Sequence, residues 1–265
     1  TETFKHFHAS EPGAQDRVWA ILEDSRGRLW VGTVGAGLGR YDRESESFIW
    51  YTPDSQDDES FPSQVVWSLY EDHLGNIWIG TNDGLARYLP ETDSFGTYVN
   101  EPKLSSSLTA DVVYDITQDE QQRLWLATRG GGLNRYHWKT DSFSHIQQED
   151  GLPSDVVMSV VPDEVGNIWM GTAHGLSRFT PNSGRVLNYS QKNGLQGNLF
   201  NIGAGHKLNS GELAFGGTQG FTVFNPKSFN AHESPPPVEI TALKIFNQPV
   251  EVGAENSPLE KAITL

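Results

Sequence analysis

Cysteine is absent from this 265-residue chain, which excludes disulfide staples, thiolate zinc sites and a cysteine nucleophile while leaving the compartment open. Long apolar runs are also missing. No stretch approaches the roughly 18–20 residues needed to span a bilayer, and Thr1-Glu2-Thr3-Phe4 has no signal-peptide pattern. Basic residues are few, 19 Lys and Arg against 34 Asp and Glu, for a formal charge of −15. That balance argues against nucleic acid as a partner, because phosphate recognition needs clustered Lys and Arg. It argues equally against adsorption on an anionic membrane surface. Aromatics at 11% and charged residues at 20% describe a globular chain and not a disordered one.

What is present is a repeat. Gly27-Arg28-Leu29-Trp30-Val31-Gly32-Thr33 returns as Gly75-Asn76-Ile77-Trp78-Ile79-Gly80-Thr81, as Gln122-Arg123-Leu124-Trp125-Leu126-Ala127-Thr128 and as Gly166-Asn167-Ile168-Trp169-Met170-Gly171-Thr172. A worn fifth copy reads Gly211-Glu212-Leu213-Ala214-Phe215-Gly216-Gly217. The tryptophans step by 48, 47 and 44 residues, and Ala214 follows 45 later. Periods in the forties with several short strands per unit indicate β-propeller blades. Each copy divides into four strands, as in Val18–Leu22, Arg28–Val31, Leu38–Tyr41 and Phe48–Tyr51 of the first. The first strand, a, is almost wholly apolar and reads as an inner strand covered on both faces, whereas the outer strands alternate. Asp24, Asp72 and Asp163 open Asp-x-x-Gly turns between strands a and b, where Asp bonds its own backbone and Gly takes a positive φ. This reads as hairpin chemistry and not as an acidic site. One Trp per blade at strand spacing packs blade against blade, in preference to forming a sugar-stacking ladder.

The fold class is therefore all-β: a propeller of four-stranded antiparallel blades, with five repeats visible over residues 1–230. Blade units span about 10–52, 60–99, 108–147, 152–190 and 196–226. Residues 1–9 are a stray outer strand, because Phe4-Lys5-His6-Phe7 matches the outer-strand pattern. That strand either completes the last blade and closes a five-bladed ring, or marks a piece cut from a longer array, and the second reading is favoured. Residues 231–237, with Ser234-Pro235-Pro236-Pro237, form a stiff linker. Val238–Phe246 reads as a new strand and Asn247-Gln248-Pro249 as a turn, so that 238–265 opens a second β domain.

The motifs Val-Trp-x-Ile/Leu-x-Glu-Asp, Gly-x-Ile/Leu-Trp-x-Gly-Thr and Gly-Leu-x-Arg-Tyr resemble the two-component regulator propeller repeat. Asn198 to Phe221 is similar to that family's variant terminal blade, and Pro236 to Leu265 to the start of the three-tyrosine domain, an immunoglobulin-like sandwich. The resemblance implies a periplasmic sensor joined through a membrane helix to a histidine kinase or diguanylate cyclase, with an oligosaccharide as ligand and a homodimeric parent. It implies no catalysis in the propeller itself.

Strand a begins at one rim of the central channel, so the loops before strand a and those between strands b and c share one face. Asp16, Gln64, Asp111, Asp155 and Asn198 each precede a strand a. The b–c loops add Asn82, Asp83, Arg129, His174 and Gln219. This set is a candidate ring of carboxylates, amides and one guanidinium for an oligosaccharide or other small polar ligand. The competing account is that Asp and Asn bond backbone amides at strand starts. Asp115 stands inside an inner strand where other copies have Ala20, Ser68 and Ser159, and needs water, a partner or an ion. Arg129, flanked by Gly130-Gly131-Gly132, is either a ligand contact or a salt-bridge partner. The eight His residues are scattered without metal-ligand or catalytic spacing. No metal and no cofactor is therefore expected, and the propeller-enzyme alternative (lyase or hydrolase) has little support. A protein-interaction scaffold is the third reading, with Asp54-Ser55-Gln56-Asp57-Asp58-Glu59 as an acidic patch or merely a solvated loop.

Overall fold

The computed structural model of the protein describes residues 5–7, 17–56, 60–230, 243–245 and 248–250. The chain forms two compact units, Thr1–Pro226 and Lys227–Leu265. The first is a five-bladed propeller body with four four-stranded sheets and a fifth sheet in which three strands are described. Blade one holds β1 (Arg17–Glu23), β2 (Leu29–Val34), β3 (Leu38–Asp42) and β4 (Ser47–Tyr51). Blade two holds β5 (Val66–Glu71), β6 (Ile77–Thr81), β7 (Leu85–Leu89) and β8 (Ser94–Tyr98). Blade three holds β9 (Val113–Gln118), β10 (Leu124–Thr128), β11 (Leu133–His137) and β12 (Ser142–Ile146). Blade four holds β13 (Val157–Pro162), β14 (Ile168–Thr172), β15 (Gly175–Thr180) and β16 (Arg185–Tyr189). Blade five holds β17 (Phe200–Lys207), β18 (Leu213–Gly217) and β19 (Gly220–Phe224). Every sheet is a sequential antiparallel meander, the arrangement that two- to five-residue hairpin connections permit.

The repeat phrase becomes core because strand b is buried on both faces. Trp30, Trp78, Trp125 and Trp169 are fully enclosed, each against the following blade. Ile77 and Ile79 of β6 turn the other way, toward Trp30 and Leu38 of blade one. The buried indole N–H needs an acceptor, and the turn aspartate supplies it. Nε1 of Trp30, Trp78, Trp125 and Trp169 donates to Oδ2 of Asp24, Asp72, Asp119 and Asp163 at 2.8, 2.6, 2.8 and 3.0 Å. The second oxygen of Asp72 accepts from the Leu74 and Asn76 amides at 2.8 and 3.0 Å, which fixes the hairpin. The turn amides thus account for at most half of each aspartate's bonds. In blade five both partners are gone together. Leu208 closes the turn through its backbone, and Ala214 stands where the Trp would be.

Outer strands latch neighbouring blades. The Tyr98 hydroxyl of β8 donates to Asp141 Oδ1 in blade three at 2.8 Å, where the Tyr136 hydroxyl also donates. The Tyr136 bond, against the opposing effect of burial and helped by Tyr98, holds the Asp141 carboxyl below the usual carboxylate range. Phe7 sits edge-on to Tyr41 and Phe48 of blade one, with ring centroids 5.3 and 5.4 Å away. Tyr98 meets Tyr136 and Phe143 in the same way at 5.7 and 5.6 Å. Residues 5–7 therefore stand against blade one as an outer strand stands against the blade that follows it. They form no described ladder with β19.

The expectation that strand a is covered on both faces holds for blades two to four and fails for blade one. Val18 and Ile21 of β1 are exposed, Ile21 by 69%. Among the described residues, core clusters join blade one to two, two to three, three to four and four to five. The far face of blade five leaves Phe221 exposed.

In the second unit the described strands are β20 (Leu243–Ile245) and β21 (Gln248–Val250), paired antiparallel with Lys244 opposite Pro249. Gln248 and Pro249 belong to a strand and not to the turn expected there. The ladder extends through them, with Pro249 on a two-strand hairpin whose every strand is an edge and so can lack a donor. The 231–237 linker lies outside the described residues.

Candidate functional site

The loops before strand a and the b–c loops share one end of the body because a meander places the start of its first strand beside the end of its second. Backbone bonds weld them across blade boundaries. The Gly35 and Gly37 amides donate to the Gln64 carbonyl, Gly84 to Asp111, Gly130 and Gly132 to Asp155, and Gly175 to Asn198. Gly132 shows why glycine is needed: its φ is +72°, and a Cβ would lie 2.2 Å from the Ile146 carbonyl oxygen.

The polar side chains on this face divide by whether the fold already uses them. Asp111 Oδ1 accepts from the Asn100 amide at 2.6 Å, Asp155 Oδ1 from Gln148 at 2.7 Å and Asn198 Oδ1 from Gln191 at 2.8 Å. Each pins the loop that leads into its own strand. Asp83 Oδ2 accepts from the Ser63 hydroxyl at 2.6 Å, and Asn82 Oδ1 from the Trp67 indole at 2.9 Å. Gln64, Arg129, His174 and Gln219 are exposed. The Arg129 guanidinium makes no ion pair among the described residues, so the salt bridge weighed for it from sequence is not formed there. Asp16 lies outside the described residues.

Asp115 finds its partner in the backbone. Its carboxylate accepts from the Ile116 amide at 3.0 Å and from the Val160 amide of blade four at 2.9 Å, so it bridges two inner strands. Burial pushes its pKa up to about 7, against the lowering effect of those two amides. Its position also explains a change in strand b. Opposite Ser68 and Ser159 stand Gly80 and Gly171, where a Cβ would fall 2.3 and 2.8 Å from the serine oxygens. Opposite Asp115 stands Ala127, and the Asp115 carboxylate reaches away to blade four.

Four residues on the inner strands were not singled out by the sequence reading. Registers shift at Val18/Ala20, Val66/Ser68 and Val157/Ser159, and the same break falls opposite Val113/Asp115, so one residue of each inner strand is a β-bulge. The bulged residues are Trp19, Trp67, Tyr114 and Met158. Trp19 meets Trp67 edge-to-face at 5.2 Å, and Trp67 meets Tyr114 at 5.5 Å. The signal was in the sequence as Val-Trp, Val-Trp, Val-Tyr and Val-Met at repeat spacing, but strand alternation alone assigns these rings to a blade face. Among the described residues no group of His, Asp or Glu side chains is placed to hold a metal ion. Likewise no helix is long and apolar enough to cross a membrane.

The two-component regulator propeller model matches residues 12–35, 60–83, 107–130 and 151–174. These segments run from the loop before strand a through the b–c loop of the first four blades, so the chain carries four copies of that propeller repeat. Histidine kinase P4 of Formosa agariphila is 27% identical over 250 residues, covering 94% of this chain and 18% of its own length. The extracellular domain of the hybrid two component system BT3049 from B. thetaiotaomicron is 28% identical with a TM-score of 0.71, covering 80% of this chain and 29% of that one. Virginiamycin B lyase from Staphylococcus aureus has a TM-score of 0.53 at 15% identity over 80% of this chain and 73% of its own, a likeness of fold alone. This chain thus spans less than a third of the two-component relatives it matches.

Proposed function

We propose that the chain is the extracytoplasmic, periplasmic ligand-sensing propeller of a membrane-bound bacterial signalling protein. The observation that carries this reading is the match along 80% of the chain to the extracellular domain of a hybrid two component system. Four matches to the regulator propeller repeat and similarity to a histidine kinase point the same way. The ligand is an oligosaccharide or other small polar molecule held at the loop face described above. Arg129, His174, Gln64 and Gln219 are the side chains free to meet it, while Asp111, Asp155 and Asn198 shape the loops. The propeller binds without turnover. The second unit, read as the opening of a three-tyrosine sandwich, relays the bound state toward a kinase or cyclase output in a dimeric parent.

Isothermal titration calorimetry against a panel of oligosaccharides tests the reading. Saturable binding to the loop face, with the sugar recovered intact, is the expected result. Cleavage of the bound sugar would transfer the protein to the propeller enzymes, and absence of binding across the panel would remove the sensor assignment.

A further inference from the structure

We infer that the outer boundary between blades three and four is a carboxylate-binding site, where Arg135, with Arg123 beside it, receives from outside the anionic group that the two preceding boundaries supply themselves. The site lies at the end of the blades that carries the a–b and c–d turns, opposite the loop face, and it stands independently of the sensor reading.

The repeat provides the template. The last residue of each c–d turn takes a positive φ, 53° at Asp93, 48° at Asp141 and 70° at Gly184. Between blades one and two, Asp93 accepts from Nη1 and Nη2 of Arg40 at 3.0 and 3.3 Å. It also accepts from the Tyr51 and Tyr88 hydroxyls at 2.8 and 2.7 Å. Between blades two and three, Asp141 accepts from the Tyr98 and Tyr136 hydroxyls, and the Arg87 charge helps to keep it ionised. Between blades three and four all the oxygen-bearing partners are replaced together. Ile146 stands opposite Leu133 where Tyr51 and Tyr98 stand opposite Leu38 and Leu85. Phe179, edge-on to Trp125 with centroids 5.9 Å apart, takes the place of Tyr88 and Tyr136. Gly184 takes the place of the aspartate.

The arginine is nevertheless kept. Arg135 Cζ lies 5.9 Å from the centre of the Trp125 ring, as Arg40 Cζ lies 5.8 Å from that of Trp30. Its Nε is buried, and among the described residues its guanidinium makes no hydrogen bond. Blade one sets Arg28 and Arg40 against Asp24 and Asp93, whereas blade three sets Arg123 and Arg135 against Asp119 alone. Asp119 is already engaged by Arg123 Nε at 2.6 Å and by the Trp125 indole at 2.8 Å. One positive charge is therefore left over, on a chain of formal charge −15. Burial, and after it the Arg123 charge, lowers the pKa of Arg135 against the raising effect of Asp119. The place of the missing group is open, since a Cβ at Gly184 would meet no atom within 4 Å. A planar carboxylate matches the guanidinium fork as Asp93 matches Arg40. Two carriers share that group, a free carboxylic acid anion and the acidic side chain of a partner segment.

Thermal melts of the whole chain test the inference, with acetate and the peptide acetyl-Gly-Glu-Gly-amide as probes against chloride at matched ionic strength. At ten times its Kd, acetate should raise the midpoint of the unaltered chain by about 3–6 °C, and Arg135→Gln should abolish the rise. Gly184→Asp restores the internal carboxylate. It should remove the acetate response and melt about 1–3 °C above Gly184→Asn, which has the same shape without the charge. A rise with the peptide alone would keep the site and assign its carboxylate to a partner's side chain. An equal rise in Arg135→Gln, no rise with either probe, or Gly184→Asp melting no higher than Gly184→Asn would overturn the inference. None of these results bears on binding at the loop face.

Discussion

The bond between turn aspartate and blade tryptophan can be measured directly, and blade two offers the cleanest case because no arginine shares the carboxylate. Asp72 is nearly enclosed, and its two oxygens accept from the Trp78 indole, the Leu74 and Asn76 amides and the Asn76 side chain. Asp72→Ala strands a buried indole N–H and two turn amides. At about 1–3 kcal/mol for a fully buried donor and less for the partly solvated amides, the expected loss is roughly 3–5 kcal/mol. For a body of this size that lowers Tm by about 10 °C or somewhat more. Trp78→Phe removes the donor along with part of the ring, so a double-mutant cycle isolates the bond. If the bond is the unit of stabilisation, Asp72→Ala costs less in the Trp78→Phe background, with a coupling of about 1–3 kcal/mol. Urea unfolding of the four proteins, followed by tryptophan fluorescence and far-ultraviolet dichroism together, supplies the numbers. Additivity within about 0.5 kcal/mol would refute the reasoning and return Asp72 to turn chemistry alone. Blade five predicts coupling, because Leu208 and Ala214 replace both partners at once.

Further consequences follow from the same geometry. Because the Asp115 carboxyl holds its proton up to about pH 7 when folded against an ordinary value of 3.8, the unfolded chain binds fewer protons between those limits. Stability should therefore fall as pH rises from about 4 to 7 and then level off. The full penalty is on the order of 4 kcal/mol at most. Asp115→Asn should flatten that slope in thermal melts from pH 4 to 8, and an unaltered slope would show that the carboxylate is ionised in the folded protein. Gly80→Val places a Cβ 2.3 Å from the Ser68 hydroxyl and 2.8 Å from the Val113 carbonyl. It should cost about 3 kcal/mol or more by prising blades two and three apart, whereas Ala127→Gly in blade three should cost about 1 kcal/mol or less by the same unfolding assay. Arg129→Ala should weaken oligosaccharide binding about tenfold with Tm nearly unchanged; a large drop in Tm with unaltered binding would make Arg129 structural.

Most of the fold was legible because its determinants are local and recur. Gly-x-Leu/Ile-Trp-x-Gly-Thr sets a buried strand, Asp-x-x-Gly a tight turn before it, and the spacing near 47 residues allows only one four-stranded hairpin array per copy. These patterns sufficed for four-stranded antiparallel blades in chain order and for the shared face of Gln64, Asn82, Asp111, Arg129, Asp155 and His174. The partners of those residues were not legible. Whether a carboxylate meets a ligand or an amide depends on which backbone N–H another loop leaves free. Asp111 and Asp155 prove to be loop fasteners while Arg129 stands open. The Asp–Trp bond spans six residues, yet it too escaped the pattern, since turn preference already explained the aspartate.

Sequence by itself, then, determined the blades, their order and the tryptophan that keys each to the next, because each of these follows from periodicity within one chain segment. Only the tertiary structure decided where the inner-strand side chains point. A single bulged residue at Trp19, Trp67 or Tyr114 breaks the alternation of faces and sets its ring against the matching ring of the next or preceding blade. Such a one-residue shift in pairing is fixed by the neighbouring strand and leaves the hydrophobic pattern of its own segment unchanged.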